Sequence, residues 1–244
     1  MAKNKGDLYV FLILLLTVGL SGCGKNSPKA SLFELQNEKQ IKIVAFGDSI
    51  TAAVIGLYPE QRWTHLLEAK LNENSLRAEY RVINAGIGGN TSREGLARIT
   101  RDVISQNPNV VLVEFGGNDV VADKAREVSL EEYSSNLNAM YEKLTAINAE
   151  MILLTFPPVV NTWHINGKKA KYVNSGGLDE YVELYRETTR KFAKEKGLRL
   201  IDVDRALRKA CEDASVEKII LSDGVHLTAK ANQIVAETIY NYMK

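Results

Sequence analysis

Residues 41–50 read Ile-Lys-Ile-Val-Ala-Phe-Gly-Asp-Ser-Ile. A short β-branched and aromatic run stops at a glycine, an acid and a serine, the signature of a strand buried on both faces that hands its carboxyl end to a loop. Similar runs occur at Tyr80 to Asn84, Val110 to Phe115, Met151 to Thr155 and Leu198 to Val203. Between them apolar residues recur at helical spacing, as in Trp63, Leu66, Leu67 and Leu71, or Tyr133, Leu137, Met140, Tyr141 and Leu144. Strands alternating with helices predict an α/β fold: a three-layer α/β/α sandwich with a five-stranded parallel sheet, one domain over residues 41–244. Its last helix should run from Thr228, as N-cap, to Tyr242.

The chain has 244 residues, 45% of them hydrophobic and 25% charged, enough apolar material for a core and too little Pro and Gly for a disordered polymer. With 31 Lys+Arg against 30 Asp+Glu, its formal charge of +1 argues against a nucleic-acid partner. Two cysteines exclude a disulfide scaffold within one chain, and three histidines leave little for a metal centre. The oligomeric state stays open; a monomer is compatible with everything in the chain.

The first 22 residues read as a processed leader. Lys3 and Lys5 precede an apolar run from Leu8 to Leu20, interrupted only by Thr17 and Gly19. At about 13 residues it is too short to span a bilayer and suits the core of a signal peptide. Leu20-Ser21-Gly22-Cys23 looks like a bacterial lipobox, which implies lipidation of Cys23 and anchoring of the exported chain to the cell envelope through that residue. An ordinary secretion signal with a coincidental cysteine is the plainer alternative. Residues 23–40 then form a lipidated cysteine and polar tether, and Cys211 is left as a small hydrophobe.

In open parallel sheets ligands bind outside the carboxyl ends of the strands. Those ends read Gly47-Asp48-Ser49-Ile50, Asn84-Ala85-Gly86-Ile87-Gly88-Gly89-Asn90 and Gly116-Gly117-Asn118-Asp119, and Asp223-Gly224-Val225-His226 precedes the last helix. In this order and placement the four blocks resemble the GDSL esterases, or SGNH hydrolases. The stretches Asn84 to Arg98 and Gly116 to Asp119 look most like the branch of bacterial periplasmic thioesterases, lysophospholipases and arylesterases. Ile50 stands where the family name has leucine, an apolar residue of similar volume. The resemblance covers residues 41–244 and implies a flavodoxin-like fold, ester hydrolysis and no cofactor.

The chemistry also follows from the residues. A serine hydroxyl needs a base within hydrogen-bond reach, and the base needs an orienting group. Ser49, His226 and Asp223 supply these, since a separation of three residues lets one turn of backbone bring the carboxylate to the imidazole. The oxyanion formed on attack requires preset donors: the Ser49 N–H, the Gly89 N–H and the Asn118 side-chain amide, Gly89 and Asn118 being chosen by the family resemblance. Each block also has a plainer reading. Asp48 or Ser49 can cap a helix, the glycines can form a tight turn, Asn118-Asp119 can be a cap, and Asp223-Gly224 a turn beside a surface histidine.

His65 and His164 have no partner at metal-ligand spacing, and Asp202 with Asp204 is too little for a cation, so no metal is expected. Gly86 to Thr91 fails the dinucleotide fingerprint because Thr91 replaces its last glycine, and Thr51 spoils a GxSxG elbow. For substrate, the 157–177 connection carries Trp163, His164 and Tyr172, rings that can stack on a sugar or line an acyl slot, and Lys168, Lys169 and Lys171, which can meet an anionic group or simply be solvated. Val54, Ile55, Leu57 and Tyr58 offer an apolar rim or merely pack on a helix. These readings favour an envelope esterase acting on a small-molecule, glycan or lipid ester. The competing class is an envelope lipoprotein that binds glycan or acyl groups on the same scaffold without catalysis.

Overall fold

The computed structural model describes residues 40–244 apart from 74, 77, 122 and 124. The leader, Cys23 and all of the tether but Gln40 lie outside the described residues. Five strands, β1 (Gln40–Gly47), β2 (Glu79–Gly86), β3 (Val110–Glu114), β4 (Glu150–Leu154) and β5 (Arg199–Ile201), form one sheet in the order β2-β1-β3-β4-β5. Every pairing is parallel. The residues dictate who sits in the middle. In β1, Ile41 and the run Ile43 to Phe46 are solvent-inaccessible, and all five residues of β3 are buried, as continuous apolar runs demand of strands covered on both faces. β2, which mixes charged with apolar residues, takes an edge.

Eight helices occur among the described residues: α1 (Ser49–Ala52), α2 (Trp63–Glu73), α3 (Ser92–Asp102), α4 (Leu130–Thr145), α5 (Ala170–Val173), α6 (Leu178–Lys196), α7 (Val203–Asp213) and α8 (Ala229–Met243). α8 packs on α2 and α7, and α4 packs on α3 and α6, which makes the two outer layers of the expected sandwich. Thr228 caps α8, its Oγ1 accepting from the Ala231 N–H at 3.2 Å. Two local differences have clear causes. β5 stops at Ile201 rather than Val203 because Asp202 turns the chain into α7, accepting from the Arg205 N–H. The 157–177 connection is built of turns and the single-turn α5, tied down by its own main-chain hydrogen bonds.

Asp202 and Asp204 are engaged by arginines. Arg190 reaches both, and the fully buried Arg186 meets Asp204 at 3.3 Å and Asp179 at 2.6 Å while donating to the carbonyls of Phe156 and Pro157. Among the described residues no group of three or more His, Cys, Asp or Glu is placed to hold a metal. Cys211 is unpaired and half-buried against the core. No helix among the described residues is long and apolar enough to cross a membrane.

With strand order 2-1-3-4-5 the direction of winding reverses between β1 and β3, and a crevice opens outside their carboxyl ends. Gly47-Asp48-Ser49 leaves one strand there and Gly116 to Asp119 follows the other.

Candidate active site

β1 must end at glycine: a Cβ on Gly47 would lie 2.2 Å from Thr51 Oγ1 and 2.6 Å from the Glu114 carbonyl oxygen. Asp48 follows, fully buried, and its Oδ1 accepts from the Ile50 N–H at 2.9 Å. The helix-cap reading of Asp48 is thus realised, and the cap sets Ser49 at the head of α1. Gly86 allows the end of β2 to lie against this turn, since its Cβ would come within 2.2 Å of the Ala52 nitrogen.

Ser49 Oγ lies 3.0 Å from His226 Nε2, and His226 Nδ1 lies 2.7 Å from Asp223 Oδ2. Asp223 Oδ1 accepts from the N–H groups of Val225 and His226, which closes the three-residue loop and aims the carboxylate at the ring. Partial burial works to raise the Asp223 pKa, but the two backbone donors and the imidazole outweigh it and hold the group below its ordinary value. The carboxylate therefore stays charged, where it fixes the His226 tautomer with Nε2 free to accept the serine proton. A hydroxyl, a base and an orienting anion stand in one hydrogen-bonded chain.

Gly89 and Asn118, expected as oxyanion donors, line the same cavity as Ser49. Gly89 adopts φ +79°, the left-handed region that favours glycine, while a Cβ there would meet nothing within 4 Å. Backbone conformation, more than crowding inside the protein, requires the glycine. Arg126 steadies the turn by donating to the Gly89 carbonyl at 2.8 Å. Asn118 Nδ2 donates to Asp48 Oδ2 at 2.8 Å and makes a longer contact, 3.3 Å, with the Asn90 carbonyl. The second is the weaker bond, and an oxyanion is the stronger acceptor for that proton.

Beneath these donors lies a set of buried carboxyls, of which the sequence marks Asp48 and Asp119 only as caps and Glu114 not at all. Asp119 accepts from the N–H and hydroxyl of Ser92 and from the Gly116 N–H, holding the 116–119 loop to the start of α3; burial pushes its pKa to about 6. Burial pushes Asp48 to about 7, and burial together with the Asp48 charge raises Glu114 well above its ordinary value. Glu114 also accepts from Thr51 Oγ1 at 3.0 Å. Arg98 was likewise unmarked. It donates to the carbonyls of Gly47 and Ala85 and to Asn90 Oδ1, and stacks 4.6 Å over Phe46, fastening β1, β2 and the glycine turn together. Neither Glu114 in an apolar strand nor Arg98 on a polar helix carries a sequence signal of its own.

Ser49, Gly89, Asn118 and His226 open onto a cavity of about 330 Å³ whose far wall is apolar, with Val120, Phe156, Leu178 and Val182. Of the rim residues, Ile55 lines it, while Val54 and Tyr58 are exposed and Leu57 packs on the core. Tyr172 lines it with its hydroxyl tied to the Val120 carbonyl, Trp163 packs against the core, and Lys171 pairs with Glu127. His65 is exposed on α2, whereas His164 reaches the cavity, as the wall reading of the 157–177 connection allows. The fold of the 159–167 turn, invisible to periodicity, puts it there.

Over residues 45–234 the chain matches the GDSL-like lipase/acylhydrolase family. It belongs to that family. Among its relatives is the uncharacterized lipoprotein YqeF of Bacillus subtilis, 27% identical over 257 residues, 96% of each chain. Esterase TesA of Pseudomonas aeruginosa is 36% identical over 135 residues, 55% of this chain and 61% of that one. A solved acetyl xylan esterase superposes with a TM-score of 0.67 at 27% identity, covering 82% of this chain and 98% of its own. The chain is thus an enzyme of the GDSL esterase and acylhydrolase class, folded like its solved relatives.

Proposed function

We propose that this protein hydrolyses carboxylic esters through an acyl intermediate on Ser49, with His226 as base and acid and Asp223 orienting it. The observation that carries this reading is the Ser49–His226–Asp223 chain, with contacts of 3.0 and 2.7 Å, at the mouth of the cavity. Ser49 Oγ attacks the ester carbonyl and gives its proton to His226 Nε2. The Ser49 and Gly89 N–H groups and the Asn118 amide hold the oxyanion, and its collapse expels the alcohol, which takes the proton from Nε2. Water activated by the same histidine then frees the acid and Ser49.

The same proposal assigns residues 1–22 to a signal peptide, 23–40 to a lipidated Cys23 with its tether, and 41–244 to the esterase domain on the cell envelope. The lipobox pattern and the naming of the Bacillus relative as a lipoprotein support the anchoring. The apolar cavity supports an acyl substrate, and the acetyl xylan esterase relative supports acetylated glycans.

The test is hydrolysis of p-nitrophenyl esters from acetyl to palmitoyl by the purified full chain in detergent. Ser49→Ala should remove at least about 10⁴-fold of the rate. A loss below tenfold rejects the mechanism, and the chain length of peak activity separates acetyl from longer acyl substrates.

A further inference from the structure

His164 enters no step of that mechanism, yet its ring is pinned and its free nitrogen is unused. The Asn166 N–H donates to His164 Nδ1 at 3.1 Å, so Nδ1 must be the acceptor and the neutral ring carries its proton on Nε2. No acceptor meets Nε2 among the described residues. Half-burial, reinforced by His226 and Lys169, holds the ring below the ordinary histidine value, although Asp223 pulls the other way. It is therefore a neutral donor near pH 7.

The turn that carries His164 is built onto the loop of the candidate triad. The Val160 N–H donates to the Gly224 carbonyl at 2.8 Å, and a Cβ on Gly224 would lie 2.8 Å from both the His164 nitrogen and the Val160 oxygen. The other side of the turn is fixed to α6: the Val159 N–H donates to Asp179 Oδ1 and the Asp179 N–H to Asn161 Oδ1. His164 thus lines the cavity of Ser49 and His226 from a turn hydrogen-bonded on both sides.

Which half of an ester it meets follows from the chemistry. His226 Nε2 returns its proton to the departing oxygen, so the alcohol leaves on the His226 side, away from Gly89 and Asn118. His164 comes from the segment docked on that side. We propose that His164 is a specificity-determining residue whose Nε2–H donates to a second oxygen on the leaving alcohol, so that the preferred substrates are esters of polyols, whether sugars or glycerol, rather than of simple alcohols. A neutral donor suits an uncharged hydroxyl or ring oxygen. This inference rests on the esterase reading of the site.

The test compares kcat/KM of the purified full chain in detergent for glycerol monoacetate, an acetylated methyl xyloside and ethyl acetate, in the wild type, His164→Phe and His164→Gln. Loss of one neutral hydrogen bond corresponds to about three- to tenfold. His164→Phe should lower kcat/KM on the polyol esters by that factor more than on ethyl acetate, and His164→Gln, which restores a donor, should recover part of it. A preferential loss on the xyloside alone assigns a sugar, and on glycerol monoacetate alone a glyceride. An equal loss on all three esters, or a wild type that prefers ethyl acetate, overturns the inference and leaves the esterase reading standing. Absence of Ser49-dependent hydrolysis in the wild type overturns the esterase reading, and this inference with it.

Discussion

Glu114→Gln exposes the energetics of the carboxyls beneath the oxyanion donors. Glu114 is 2% exposed, and burial above all keeps its proton on well above its ordinary value of 4.5. Above pH 4.5 the unfolded chain releases this proton while the folded chain retains it. The unfolded state then binds fewer protons, so stability falls as pH rises, by about 1.4 kcal/mol per pH unit for one group. Asp48, raised to about 7, and Asp119, raised to about 6, act in the same direction. Glutamine matches the neutral acid in shape: its carbonyl accepts from Thr51 Oγ1 and its amide donates to Asp48, but it does not titrate. The variant should equal the wild type near pH 4 and then pull ahead by about 1.4 kcal/mol per pH unit for as long as Glu114 keeps its proton. For a domain of this size that is a Tm gap widening by roughly 3–6 °C per unit. Thermal unfolding by circular dichroism at constant ionic strength from pH 4 to 7 reads it. A gap that stays constant across that range, or a variant less stable at pH 7, would mean that folded Glu114 does not hold its proton.

Three further substitutions probe the site and its support. Asn118→Ala should lower kcat on p-nitrophenyl acetate by about 10²–10³ with little change in KM, and an unchanged kcat removes Asn118 from the oxyanion hole. Arg186→Met leaves Asp179 and Asp204 without their buried partner and should cost about 3–5 kcal/mol, measured by urea unfolding at pH 7; a cost below about 1 kcal/mol means the other arginines suffice. Gly117→Ala places a Cβ 2.0 Å from the Phe156 ring in the cavity wall and should destabilise by about 1–3 kcal/mol while raising KM for the longer p-nitrophenyl esters; an unchanged KM means the ring yields without altering the cavity.

The central strands were legible because a sheet covered on both faces tolerates only apolar residues, so Ile41 to Phe46 and Val110 to Phe115 stand out without structural help. The blocks around Ser49, Gly89, Asn118 and Asp223 to His226 were legible because close backbone approach and hydrogen-bonding chemistry restrict those positions to few residue types. β5 was overextended because an Asp that caps a helix looks no different in sequence from one that ends a strand. Glu114 and Arg98 carry no such mark for a different reason, and the exact place of His164 in the 157–177 wall was hidden likewise: each owes its place to contacts between segments far apart in the chain. The Asp48–Glu114 approach spans two strands, and the docking of the Val160 turn on Gly224 depends on a connection without periodicity.

Whether His226 activates Ser49 to form an acyl enzyme is read by treating the folded full chain with a fluorophosphonate and mapping the adduct by peptide mass spectrometry. A single adduct on Ser49 that disappears in His226→Ala is the expected result. A folded protein left unlabelled, or an adduct on another residue, would contradict it.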